Sequence, residues 1–514
     1  MKSKLEVDET TTDFKRSLQN STSASELLFQ PERKLRISVL AQNHFAQFSA
    51  VAGAIAVQLN RVGHDTTFLP LSWASSPLNS HIKSAFFSGK LRLRAPDEQI
   101  AKALNTTTSV RVDNLKEYKI KLRETRRCSY FPGEVSLADL SGLTVESLPV
   151  GTAIRDEIIR LSQNSRPNSK IRNKALCELI TNYLFVYDLL SNHIISVKPD
   201  LIVVFNGRFL PESAAVQAAR SQDVPVMFYE AGGELRDFDL YSHPTHDVAS
   251  LCSRMIDMGS KALTEKELIE FGDEWFTSRF DFRDTEVARY SFETFEAIPQ
   301  STDSEVDVIF FSSSSDELEF NVSNGVDNQQ KEALQILYEA CQRVGRRLTI
   351  RSHPNMRNKS QEDQFAWESF LSRFPECEVI DQHSDRNPYE LCLRAKVVVT
   401  FASTIGIESI YLGQPTLITG PAYYSALPGV FQADSVPSVT EFLTTHPLTD
   451  KRTAYLYGAF QQVRGFVSDD MQLLNHGQAV FLGKNIGSRK SISGFCFRLE
   501  SRIRKRFSKQ GFLT

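Results

Sequence analysis

The sequence predicts an α/β protein made of two doubly wound, Rossmann-like domains facing a cleft, and three observations lead there. Short apolar runs alternate with stretches of helical spacing: LRISVLA (35–41), then SAVAGAIAVQLNRVGH, then DTTFLPLS, a strand, helix, strand unit. Such units imply a parallel sheet covered by helices. The same grammar returns at PDLIVVFNGRF (199–209), PESAAVQAARSQD and VPVMFYEAGGE (224–234), and again from VDVIFFSSSSDE (306–317) onward. Finally, 514 residues exceed what one core accommodates, since domains run to about 100 to 200 residues.

Taken in order, residues 1–34 are polar and Ser/Thr-rich and are expected to form a disordered arm. The first domain is expected over 35–304. Its middle, 79–196, is mostly helical and includes the amphipathic stretch KIRNKALCELITNYLFVYDLLSNHIIS, and 235–304 closes it through helices and a linker near FEAIPQSTDSEVD. The second domain, 305–430, continues with a helix at 328–344, RLTIRSHPN, a helix at 361–373, ECEVID, NPYELCLRA, KVVVTF, STIGIESIYLG and PTLITG. A helical return segment is expected over 431–487 and a basic amphipathic tail over 488–514. No internal repeat of solenoid length is evident.

Composition narrows the function. A formal charge of -3, from 59 basic and 62 acidic residues, gives no field for gathering nucleic acid, and none is expected as a partner. The seven cysteines are scattered without a CxxC spacing, so they read as reduced thiols and not as a zinc site or disulfide framework. The N-terminus carries no signal-like apolar region and no run approaches ~18 apolar residues, so a cytoplasmic protein is expected. The tail interleaves basic residues with Phe495, Phe497, Leu499, Ile503 and Phe507. That pattern suits a helix lying on an anionic inner-membrane face, with a solvated tail as the alternative. There is no GxGxxG after the first strand, no GxxxxGK[ST] and no GxSxG. Asp237-Phe238-Asp239 matches DxD but follows a Gly-rich turn, not an apolar strand end, and reads as a chance match.

In open α/β sheets ligands bind beyond the carboxyl ends of the strands. After KVVVTF come Ser403 and Thr404, opening a helix whose unpaired N–H groups suit a phosphate, with Gly406 inside it and Glu408 a turn further on. A carboxylate there can accept two hydrogen bonds from a ribose diol. The structural alternative is that Ser403 is an N-cap and Glu408 a first-turn acid. After RLTIRS comes His353-Pro354, with Arg351 two residues earlier, donors of the kind wanted beside a pyrophosphate or, alternatively, turn residues. Ser312 to Ser315 and Asp316 follow VDVIFF, either an anion loop or loop filler. The first domain offers Asn206, Gly207 and Arg208 after one strand, and Glu230 in YEAGG after the next. Glu230 is a candidate general base, with a solvated loop acid as the alternative. Gln42, Asn43 and His44 follow the first strand, and His44 is a second candidate base.

Residues 306–421 resemble the donor-nucleotide domain of GT-B glycosyltransferases, in particular the bacterial capsule and surface-polysaccharide biosynthesis families that include β-Kdo transferases. Those families carry an HP dipeptide, here His353-Pro354, and a downstream QxSxxxxE element, met by Ser403 and Glu408 but with Phe401 in place of the Gln. The resemblance implies a GT-B glycosyltransferase using a nucleotide-sugar donor as co-substrate, with no resident cofactor, and a glycan or glycolipid acceptor. The nucleotide would lie against Ser403, Thr404, Gly406 and Glu408, and its phosphates would face His353, Arg351, Ser312 and Ser313. The catalytic candidates are His353, Glu230 and His44, with no metal expected. A sugar-nucleotide 2-epimerase, a CDP-polyol phosphotransferase and a non-catalytic scaffold of a polysaccharide assembly complex are the alternatives.

Overall fold

A computed structural model describes residue 28 and residues 34–41, 46–71, 96–113, 135–162, 170–233, 235–280, 306–314, 326–359, 361–475 and 478–487. Two compact units emerge: residues 1–157, 170–245 and 464–514 form the first, and residues 158–169 and 246–463 the second.

The first unit is wound on β1 (Arg36–Ala41), α1 (Ala46–Arg61), β2 (Asp65–Pro70), α2 (Pro96–Thr107) and β3 (Arg111–Val112). Then come α3 (Gly151–Ser162), whose residues to Glu157 belong to this unit, and α4 (Asn173–Val197). β4 (Leu201–Phe205), α5 (Leu210–Arg220), β5 (Val226–Ala231) and β6 (Asp237–Tyr241) complete the winding. Strands β3, β2, β1, β4 and β5 lie side by side and parallel, with β6 antiparallel beside β5. Every residue of β4, LIVVF, is buried, as expected of a strand covered on both faces. Alanine-rich α1 packs close to the sheet and ends at Gly63, whose φ of +105° suits only glycine comfortably.

The second unit holds α6 (Val248–Asp257), α7 (Glu265–Phe280), β7 (Val306–Phe311), α8 (Val326–Val344), β8 (Leu348–Arg351) and α9 (Gln361–Leu371). It continues with β9 (Glu378–Ile380), α10 (Pro388–Arg394), β10 (Ala395–Thr400), α11 (Ile405–Tyr411), β11 (Thr416–Ile418) and β12 (Phe431–Gln432). Helices α12 (Val436–Thr445) and α13 (Lys451–Val463) close it. Its six strands are all parallel, in the order β9-β8-β7-β10-β11-β12. The winding reverses between β7 and β10, which makes that pair the switch point; in the first unit the corresponding pair is β1 and β4.

Three expectations need correction. The return segment 431–487 is helical only to Val463; after it, β13 (Phe466–Val467) pairs with β6, and β14 (Met471–Asn475), β15 (Gln478–Phe481) and β16 (Lys484–Gly487) form a meander. Its turn, Leu482-Gly483, has φ of +47° and +71°, the positive pair that a tight hairpin demands. Met471, Leu473, Ala479, Phe481 and Ile486 pack into the first unit's core, and Arg61 holds Asp470 through two bonds of 2.6 and 2.7 Å. In the arm, Leu28 is fully buried in the same core, and its carbonyl oxygen lies 2.9 Å from His64 Nε2. Asp237-Phe238-Asp239, read as a chance match after the Gly-rich turn, lies within strand β6, with Asp239 paired opposite Glu230. Residues 246–280, expected to close the first domain, belong to the second unit. No helix among the described residues is long and apolar enough to cross a membrane.

Candidate functional site

Three predicted loops meet at the switch point of the second unit, and hydroxyl groups hold them together. Ser312 Oγ accepts from the His353 amide at 2.7 Å, Ser313 Oγ accepts from the Ala402 amide at 3.0 Å, and Thr400 Oγ1 donates to the Phe311 carbonyl at 3.0 Å and accepts from the Ser403 amide at 3.2 Å. Gln330 of α8 clamps Ser313 from behind, accepting from its amide at 2.6 Å and donating to its carbonyl at 3.3 Å. Ser312, His353, Ser403 and Thr404 are therefore brought to one place. Buried amides need partners, and these hydroxyls supply them where the ladder ends.

That role changes how several candidates read. Ser312 and Ser313 are buried and engaged with neighbouring amides rather than turned outward. Arg351 is also buried: it donates to the Asp381 carbonyl and, at 3.0 Å, to the Ser384 carbonyl, so its guanidinium ties down the loop after β9 instead of standing beside a phosphate. Glu408 is 3% exposed and takes the Nε–H of Arg279 at 2.7 Å, a buried ion pair and not a carboxylate offered to a ribose. Burial disfavours the Arg279 cation, but the adjacent Glu408 carboxylate outweighs that and its pKa is raised. Arg279 also lies over the Trp275 ring, 4.6 Å from its centroid. Gly406 has a packing role, since a Cβ there would sit 2.2 Å from the Tyr424 hydroxyl and 2.8 Å from Ile418 Cδ1.

What remains at the junction's surface is small and polar. Thr404 is exposed and makes no capping bond, and Ser403 is half-buried with its Oγ 3.4 Å from the Ile405 amide. The carbonyl of Ser403 accepts from Tyr424 at 2.6 Å, which fixes the turn from below. His353 Nδ1 accepts from the Asn355 amide at 3.1 Å. That bond caps the turn and leaves Nε2 as the ring's other polar atom. Ser315 and Asp316 lie outside the described residues, as do Gln42, Asn43, His44 and the tail 488–514.

The first unit carries a different chemistry. Glu230, in β5, is surrounded by the side chains of Asn206, Thr245, Arg208 and Arg464, with Thr245 Oγ1 donating to it at 3.5 Å. Burial pushes its carboxyl up to about 7, against the opposing pull of the Asn206 bond, Arg464, Thr245 and Arg208. A carboxyl titrating there is suited to take or give a proton near neutral pH. Asp156 of α3, which shares Arg208 as a neighbouring charge, is buried and raised to about 6, again by burial, with Arg208 and Arg155 opposing. Arg208 Nε stands 3.7 Å from Asp156 Oδ2, and Arg155 Nε lies 3.4 Å from Oδ1. Arg464 is held by a 3.1 Å bond to the Tyr241 hydroxyl. The sequence reading singled out Glu230 but gave no role to Asp156 or Arg464. A charged triplet, Arg155-Asp156-Glu157, between Ile154 and Ile158-Ile159 was the available signal.

Residues 306–463 match the family described as Capsule polysaccharide biosynthesis protein, and the family resemblance drawn from the sequence holds over this span. No curated protein matches the chain. Among solved structures the chain is similar to the KpsC beta Kdo 2,4 transferase of Thermosulfurimonas dismutans, at 13% identity over 51% of this chain and 79% of that one, with a TM-score of 0.34. It is also similar to the UDP-GlcNAc 2-epimerase of Neisseria meningitidis bound to UDP-GlcNAc, at 12% identity over 82% and 97% of the two chains and a TM-score of 0.30. A glycosyltransferase of Rickettsia africae ESF-5 gives 9% identity over 84% and 95%, with a TM-score of 0.30.

Proposed function

We propose that this protein is a glycosyltransferase of capsule or other surface-polysaccharide synthesis, with the nucleotide-activated donor bound by the second unit and the acceptor hydroxyl served by Glu230 of the first. The observation that carries the reading is the capsule-biosynthesis match over 306–463, the segment whose sheet has its switch point between β7 and β10. Thr404, Ser403 and His353 are the side chains assigned to the donor's phosphates, in place of the wider set that includes Arg351, Gly406 and Glu408. The glycan or glycolipid acceptor gives its hydroxyl proton to the Glu230 carboxylate as its oxygen bonds the donor's anomeric carbon. The bond from that carbon to the phosphate oxygen breaks, and donors at the His353 loop stabilise the charge left on the nucleotide. The basic sequence 488–514 is assigned a peripheral contact with the anionic inner-membrane face.

The test is acceptor-dependent nucleotide release. Purified protein is incubated with UDP-, CMP- and GDP-linked sugars, with and without surface-polysaccharide or glycolipid acceptors, and both free nucleotide and sugar epimers are followed. Release that requires an acceptor supports the reading. Conversion of a UDP-sugar to its epimer without acceptor would replace it with a 2-epimerase, and polyol phosphate transfer from a CDP-linked donor would replace it with a phosphotransferase.

A further inference from the structure

The loop after β4 carries a cation, Arg208, that faces the Asp156 carboxylate and whose charge also reaches Glu230. Gly207 has φ of +78°, and a Cβ on it would lie 2.3 Å from the Phe228 ring, so the turn closes onto β5 only with glycine. The Asn206 amide donates to the Tyr229 carbonyl at 3.3 Å, extending the β5 ladder to the residue before Glu230. The Asn206 side chain bonds Glu230, and its Oδ1 accepts from the Arg208 amide at 3.1 Å. Arg208 thus leaves the turn with its backbone fixed and its guanidinium facing Asp156, while its charge also acts on Glu230.

We propose that Asp156 is a positioning residue: it shares the Arg208 guanidinium with Glu230 and so keeps that cation from pairing fully with the base. The inference rests on reading Glu230 as the base. An arginine committed to Glu230 alone would hold that carboxylate ionised and make it a weaker proton acceptor. Asp156 divides the attraction, and being buried it cannot easily turn away to solvent. The other charged groups facing Glu230 are Arg464 and Asp239 across the strand pair, while Arg155 and Glu157 flank Asp156 on α3.

The experiment follows the Glu230 carboxyl itself, by carbon-13 NMR titration of glutamate-labelled protein, with the signal assigned by its loss in Glu230→Gln. Asp156→Asn should lower the Glu230 midpoint by about one pH unit, equivalent to roughly 1.4 kcal/mol of added preference for the ionised form. Asp156→Glu should restore it, and Arg208→Gln should move it the opposite way. An Asp156→Asn protein that melts earlier but keeps the wild-type midpoint would overturn the proposal. Should that variant not fold, an unmoved midpoint in Arg208→Gln overturns it equally. The pH dependence of transfer is measured alongside. A midpoint that moves while the acid limb of the rate stays put would leave the shared cation standing and remove Glu230 from its role as base.

Discussion

At the carboxyl ends of β7 and β10 the polar side chains are neutral hydroxyls, and almost every one of them completes a backbone amide or carbonyl of a neighbouring loop. Around the ends of β4 and β5, in a unit wound in a similar order, the polar side chains are charged: burial raises the pKa of Glu230 in β5 and of Asp156 on α3, with Arg208 opposing both. One doubly wound plan can thus be finished in two ways. One finish makes a rigid rim that presents few groups, suited to gripping a ligand through shape and fixed donors. The other keeps ionisable groups at strained protonation states, suited to moving a proton.

The largest effect that would break this comparison is at Glu230. Glu230→Gln should lower acceptor-dependent nucleotide release by about 10²- to 10⁴-fold while binding of nucleotide by the second unit is unchanged; equal loss of both would mean that the two finishes are not separable. Next, Glu408→Ala leaves Arg279 buried without its partner, and unfolding in urea should show a loss of about 3–5 kcal/mol. A Glu408→Ala protein of wild-type stability that no longer binds nucleotide would return Glu408 to the ribose.

A smaller effect concerns pH. A carboxyl near 7 in the folded protein and about 4.3 in the unfolded chain binds its proton more tightly when folded. Its contribution is therefore full below about pH 4 and lost as pH rises through about 7. Glu230→Gln should thus be more stable than wild type at pH 8, by on the order of 2 kcal/mol, with the difference vanishing at pH 4. Urea melts at the two pH values check the sign. The smallest effect is at the exposed Thr404, where Thr404→Val should weaken nucleotide binding by about fivefold, one neutral hydrogen bond, without moving the melting temperature.

The alternation of elements was legible because parallel strands covered on both faces read as unbroken apolar runs, as in VDVIFF and LIVVF. The strand-end loops of the second unit were found the same way. What their side chains do was not legible, because a serine at a strand end looks the same whether it faces an amide of the next loop or a ligand. The Arg279–Glu408 pair joins residues 129 apart in sequence, so no local spacing announces it, and Glu408 read instead as a carboxylate open to a ribose. Asp156 was missed for the opposite reason, as a charged triplet on a helix ordinarily marks a solvated face. The meander 471–487 escaped because its turn is Leu482-Gly483, lacking the Asn-Gly or Asp-Gly signature that marks such hairpins.

The most direct test of the donor assignment is the thermal shift given by CMP, CDP, UDP and GDP to the wild type, Thr404→Val and Glu230→Gln. One nucleotide should stabilise the wild type and Glu230→Gln equally and Thr404→Val less. Stabilisation that is lost with Glu230→Gln and intact in Thr404→Val would contradict the assignment, as would the absence of a shift with every nucleotide.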